Sequence, residues 1–220
     1  MPINYWHPFE EGGFYHIYNR SNNKETIFKS DGHYRFFLQR WDHYLSPYVD
    51  TFAYALLPNH FHFLVSVRPG NQILEAADKE KTKCGLRFLE GTIELDVLLE
   101  DQMKRFLSSY AQAFNKQQDR HGSVFQKRFK RVSIKNESHL MYLIAYLHHN
   151  PMHHGLANHY EDWHYTSFKA ISSNAPTKIC REALLNLWCE ADAIQAKKLY
   201  FEYHQVFQLD QKMANLILDE

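Results

Sequence analysis

The sequence predicts an α+β fold: one antiparallel sheet with helices packed on one face, followed by a helical C-terminal extension. Two observations carry this. Short aromatic and β-branched runs alternate with segments of helical period, in the order strand, helix, strand, strand, helix, strand, helix. The two central strands also form a hairpin, which imposes antiparallel pairing and hence a split-βαβ arrangement. A length of 220 residues suits one large domain, or one domain with an appendage, and 45% hydrophobic residues can fill its core.

Segment 12–20 (GGFYHIYNR) is a glycine-bounded run of β-formers. Residues 31–45 place Tyr34, Phe37, Leu38, Trp41 and Leu45 at helical spacing, with Asp31 at the start and Ser46-Pro47 ending the run. Residues 50–57 and 60–67 are β-like and joined tightly by Pro58-Asn59. Residues 69–98 form a charged, partly helical excursion. Residues 99–118 carry Leu99, Met103, Phe106, Leu107, Tyr110 and Phe114 on one face. Beyond Gly122, residues 124–134 alternate as a strand. Residues 136–138 suit a cap for a helix over 138–149, which Pro151 is expected to end. A linker and two helices, over 179–190 and 191–206, complete the chain.

Composition narrows the function classes. No run reaches the ~18 apolar residues of a membrane span, and the start lacks a signal peptide's basic-then-apolar order. Cys84, Cys180 and Cys189 show no CxxC spacing, so a reduced cytoplasmic chain without a zinc–thiolate site is expected. Twenty-five basic residues balance twenty-five acidic ones. The balance is uneven along the chain: residues 100–135 hold nine Lys/Arg against three acids, and residues 180–220 hold four against seven. A basic middle can bind a polyanion even when the total is zero. The acidic tail is better suited to bracing the fold than to touching one.

Three motifs carry possible chemistry. In His60-Phe61-His62 the alternation of a strand sends both imidazoles to one face, where they can ligate one divalent metal. Two histidines on the wet face of a sheet are the plain alternative. Tyr146 and Asn150 lie four apart, on one face of a helix. Read alone, Tyr142 and Tyr146 are ordinary core aromatics one turn apart. A phenol with a pKa near ~10 needs a cation close by to act as a nucleophile. The run Lys127-Arg128-Phe129-Lys130-Arg131 is either a solvated edge or a surface for phosphates and stacked bases. Of the histidines in HHNPMHHG, His149 or His153 could replace Asn150 as a ligand; Trp163 is read as a packing anchor.

Taken together, HIYNRSNNKETIF (16–28), AYALLPNHFHFLV (53–65), SSYAQAFNKQQDRHGSVFQKRFKRV (108–132), LIAYLHHNPMHHGL (143–156) and YEDWHYTSF (160–168) resemble the REP-associated tyrosine transposases, cellular relatives of the single-tyrosine HUH transposases. The likeness spans about residues 12–171. It implies a ferredoxin-like catalytic domain over 1–171, with an excursion at 69–98, and a helical extension over 172–220. By the same resemblance His60 and His62 are metal ligands, Asn150 is a third, and Tyr146 is the nucleophile. The implied DNA contacts are Arg20, Lys127, Arg128, Lys130 and Arg131. Imidazole, carboxamide and phosphate ligands together favour Mg²⁺ or Mn²⁺ over zinc.

The implied activity is cutting and rejoining of single-stranded DNA at hairpin-forming palindromic repeats through a 5′-phosphotyrosine intermediate. The partner would be single-stranded or hairpin DNA, with no membrane, in a cytoplasmic, nucleoid-associated protein; homodimer and monomer are both compatible. The alternative is a non-catalytic, hairpin-binding regulator of transposase origin. Two departures stand out. The excursion is longer than in many relatives, and HHNPMHHG puts His153 and His154 where an NPxRAG-type motif has an arginine.

Overall fold

The computed structural model describes residues 4–210. Strands β1 (Phe14–Arg20), β2 (Val49–Leu57), β3 (His60–Val67) and β4 (Lys130–Ile134) form an antiparallel sheet in the order β2-β3-β1-β4. The expected hairpin is there, turning at Pro58-Asn59. A register shift between Thr51 and Ala53 re-phases β2. Beyond it Ala53, Ala55 and Leu57 stand opposite Leu64, His62 and His60, on the same face as the two histidines.

Helices α1 (Asp31–Tyr44) and α4 (Leu95–Gln117) cover the other face. Phe37 and Trp41 of α1 meet Phe61 and Phe63 of β3, with Trp41 stacked on Phe63 at 3.6 Å between centroids, while Tyr34 joins the same core beside Phe28. From α4, Met103, Phe106, Tyr110 and Phe114 close the same core. The excursion at 69–98 resolves into α2 (Gly70–Glu80), α3 (Lys83–Leu89) and the first turn of α4, which therefore starts four residues before the expected 99.

The α+β class and the antiparallel sheet are as expected, but the helices are not confined to one face. Helix α5 (Glu137–His153) packs across β2 and β3 on the second face, with Leu140, Leu143, Ile144 and Leu147 against Ala53, Ala55, Leu64 and Val132. The two buried alanines leave room for this approach. Asn136 caps the helix, its Oδ1 accepting from the His139 N–H at 2.9 Å. The helix also runs through Pro151 rather than stopping before it. A proline one turn from a helix end forfeits one hydrogen bond, and Gly155, at φ +66°, makes the stop.

Two further boundaries shift. Only residues 130–134 of the expected strand 124–134 join the sheet. Val124 and Phe125 are instead pinned beside Asn22, whose side-chain amide donates to the carbonyls of Ser123 and Phe125 at 3.1 and 3.0 Å. The C-terminal region forms α6 (Phe168–Ser172), α7 (Arg181–Asn186) and α8 (Ala193–Val206). Leu184, Leu185, Ala196 and Tyr200 share the core of α5. The described part of the extension thus completes the second layer; residues 211–220 lie outside the described part. Buried polar contacts join the layers: His148 Nδ1 lies 2.8 Å from His204 Nε2, and its Nε2 lies 2.8 Å from Ser167 Oγ.

Candidate functional site

Strand alternation puts His60 and His62 side by side on the α5 face, with ring centroids 5.2 Å apart. Both are buried. His60 Nδ1 is 2.6 Å from Asn59 Oδ1, and His62 Nδ1 is 3.0 Å from His16 Nε2. His62 Nε2 is buried and has no hydrogen-bond partner. Burial, then the neighbouring imidazoles of His16, His60 and His154 and the Arg20 guanidinium, hold the pKa of His62 well below the ordinary imidazole value. The ring is therefore neutral at pH 7, with a lone pair to offer.

Helix α5 carries the other two candidate residues. Asn150 is fully buried, and neither its amide oxygen nor its amide nitrogen finds a hydrogen-bond partner. A buried carboxamide left so costs about 1–3 kcal/mol per unmade bond, which calls for a ligand. Four residues earlier, Tyr146 is 2% exposed, its ring between Tyr142 (6.4 Å) and His153 (5.6 Å). At the end of the helix His154 brings its ring to 4.9 Å from His60. His149 turns the other way, its Nδ1 on the Ala145 carbonyl at 2.8 Å and its ring against Tyr160 and Phe207. It is not brought to the site.

Among the described residues, no three His, Cys, Asp or Glu side chains gather as a ready metal cluster. The donors available to a cation are instead the two imidazoles of the sheet and the Asn150 carboxamide of the helix above it. The orphaned His62 nitrogen and Asn150 amide are atoms that a bound cation would satisfy, with its remaining positions open to oxygen ligands.

The basic residues divide. Arg20 stands opposite His60 on the site face, and the Gln126 N–H donates to its carbonyl at 2.9 Å, which brings the 126–128 segment alongside. Lys127 and Arg128 are exposed, Arg128 lying over the Trp6 ring at 5.1 Å. Lys130 pairs with Tyr18 in the register and places its ammonium 4.7 Å from the Tyr5 ring and 5.9 Å from that of Tyr18. Arg131 points through the sheet to the opposite face. There it is 2% exposed and binds Asp96 at 2.8 Å, Glu100 at 3.0 Å and the His7 carbonyl. Its expected contact with DNA gives way to a structural role, because one step along a strand reverses the face.

Trp163 donates from Nε1 to the Leu56 carbonyl at 2.9 Å, the packing anchor expected. The sequence reading missed His16 and Asn59, and named His154 only as a departure within HHNPMHHG. The first was findable, since in HIYNR His16 has the same parity as the site-facing Tyr18 and Arg20.

No protein-family model matches the chain. A Haemophilus influenzae protein (strain ATCC 51907 / DSM 11121 / KW20 / Rd) whose name is that of a REP-associated tyrosine transposase is 27% identical over 170 residues, covering 75% of this chain and 85% of that one. The chain is similar in sequence to that REP-associated tyrosine transposase. A solved structure described as a REP-associated tyrosine transposase bound to a REP hairpin superposes with a TM-score of 0.53 over 79% of this chain and 88% of that one. At 15% identity that likeness speaks for the shared fold. No helix among the described residues is long and apolar enough to cross a membrane.

Proposed function

We propose that this chain is a metal-dependent, single-strand DNA endonuclease and strand transferase that acts on hairpin-forming palindromic repeats, associated with the nucleoid in the cytoplasm. The observation that carries the reading is the buried, neutral, unpartnered Nε2 of His62, on the sheet face covered by the helix that bears Asn150 and Tyr146. His60, His62 and Asn150 would hold Mg²⁺ or Mn²⁺. When bound, such an ion supplies electrophilic stabilisation of a scissile phosphate.

The Tyr146 oxygen, its phenolic proton passing to water, attacks phosphorus; the bond to the 3′-oxygen breaks, and that oxygen leaves as a 3′-hydroxyl after taking up a proton from water. The strand's new 5′ end is then held as a phosphotyrosine. Attack by a 3′-hydroxyl reverses the step and rejoins DNA without an external energy source. Arg20, Lys127, Arg128 and Lys130 hold the DNA backbone by charge. Because Tyr146 is buried, attack requires its ring to leave the stack with Tyr142 and His153. Pro151, which removes one helical hydrogen bond just beyond, marks where the end of α5 yields most easily.

That burial also favours one rival, a regulator that binds hairpins and never cuts. A cleavage assay on hairpin oligonucleotides with Mn²⁺, with and without chelator, separates the two. The proposal expects metal-dependent nicking and an SDS-resistant protein–DNA adduct, with Tyr146→Phe losing both while keeping hairpin affinity within roughly threefold. Hairpin binding without nicking by the unaltered chain selects the regulator.

A further inference from the structure

We infer that His16 and Asn59 are positioning residues that fix the ring tautomers of His62 and His60, so that both imidazoles present Nε2 to a divalent cation. The inference rests on the metal site proposed above and deepens it.

The argument starts from Asn59. Its side-chain nitrogen donates to the Lys24 carbonyl at 3.3 Å, so Oδ1 is the atom turned to His60. A carboxamide oxygen only accepts, so His60 Nδ1 carries the proton and, in the neutral ring, Nε2 carries the lone pair. His62 has the same arrangement with a different partner. His16 is fully buried in β1, one strand over, stacked on Tyr18 at 4.6 Å, with its Nε2 3.0 Å from His62 Nδ1. If His62 Nδ1–H donates to His16, the orphaned His62 Nε2 is a lone pair ready for a metal. The reverse direction would bury an N–H with nothing to receive it. Orienting partners of this kind, on the ring nitrogen remote from the metal, raise ligand basicity and set ring orientation. Here they come from two places, the strand beside His62 and the turn before His60, and both select the same nitrogen.

The test is Mn²⁺ binding to the full chain, measured by titration calorimetry without DNA, alongside the melting temperature of the metal-free protein. His16→Leu and Asn59→Ala are expected to weaken Mn²⁺ binding roughly 10- to 100-fold. His16→Gln and Asn59→Asp, which keep an acceptor oxygen, restore most of the affinity. A merely structural role lowers the melting temperature and leaves the affinity alone. That result, or conservative variants as weak as the disruptive ones, overturns the inference. Should His16→Leu fail to fold, His16→Gln and the two Asn59 variants decide. An unaltered chain that takes up no Mn²⁺ overturns the metal site itself; one that binds it equally in every variant overturns only the roles of His16 and Asn59.

Discussion

Arg128 and Arg131 stand three positions apart in one basic run, and their surroundings give them opposite roles. Arg131 is enclosed by Asp96, Glu100, Phe9 and Phe129. Arg131→Ala removes a buried cation from two carboxylates, of which Asp96 is 29% and Glu100 45% exposed, so water takes over part of the loss. We expect about 2 kcal/mol of destabilisation in urea denaturation, and no specific effect on hairpin binding once folding is allowed for. Arg128→Ala should move stability by less than about 0.5 kcal/mol and instead weaken hairpin affinity, lowering the salt slope by about one. Equal stability losses in the two variants would contradict the assignment. The sequence showed the charges and could not show which side of the sheet each would take, because that depends on where β4 begins.

Among the elements, the hairpin and α1 were legible because periods of two and of 3.6 are local properties. The second layer was not. Its cohesion lies in long-range contacts, above all the buried histidines that join α5 to α8. His204 is 1% exposed; its rings and bonds face His148, His149, Tyr160 and Tyr200. Burial drives its pKa down to about 3, against an ordinary 6.5. The folded value is depressed, so below pH 6.5 the unfolded chain takes up a proton that the folded chain refuses. Stability falls with pH across the window from 6.5 to about 3. Between pH 7 and pH 5 the loss from this one group is about 2 kcal/mol. Urea denaturation at the two pH values measures the sum of such contributions, and His204→Asn should remove about 2 kcal/mol of it, the remainder coming from other buried imidazoles such as His62. A wild-type stability independent of pH over this range would contradict the buried, neutral network. The same dependence on distant contacts explains β4, where alternation continued back to residue 124 while Asn22 held that segment elsewhere.

At the scale of the whole molecule, a sheet covered on both faces places its two site histidines inside the structure, under the helix that carries Tyr146 and Asn150. The local pattern HFH, the spacing of Tyr146 and Asn150, and five ordered motifs were enough to nominate those residues. That the tyrosine would be covered, and that His16 would reach His62 from the next strand, follows only from the assembled layers. The central claim is that Tyr146, despite its burial, is the residue that takes DNA. Its most direct test is to incubate the chain with Mn²⁺ and a hairpin oligonucleotide labelled at the 3′ end, isolate the SDS-resistant species and map the modified peptide by mass spectrometry. The account predicts that the 3′ label travels with the protein and that the nucleotide sits on Tyr146. A nucleotide on Tyr142 or Tyr18, or hairpin binding with no covalent species at all, would contradict it.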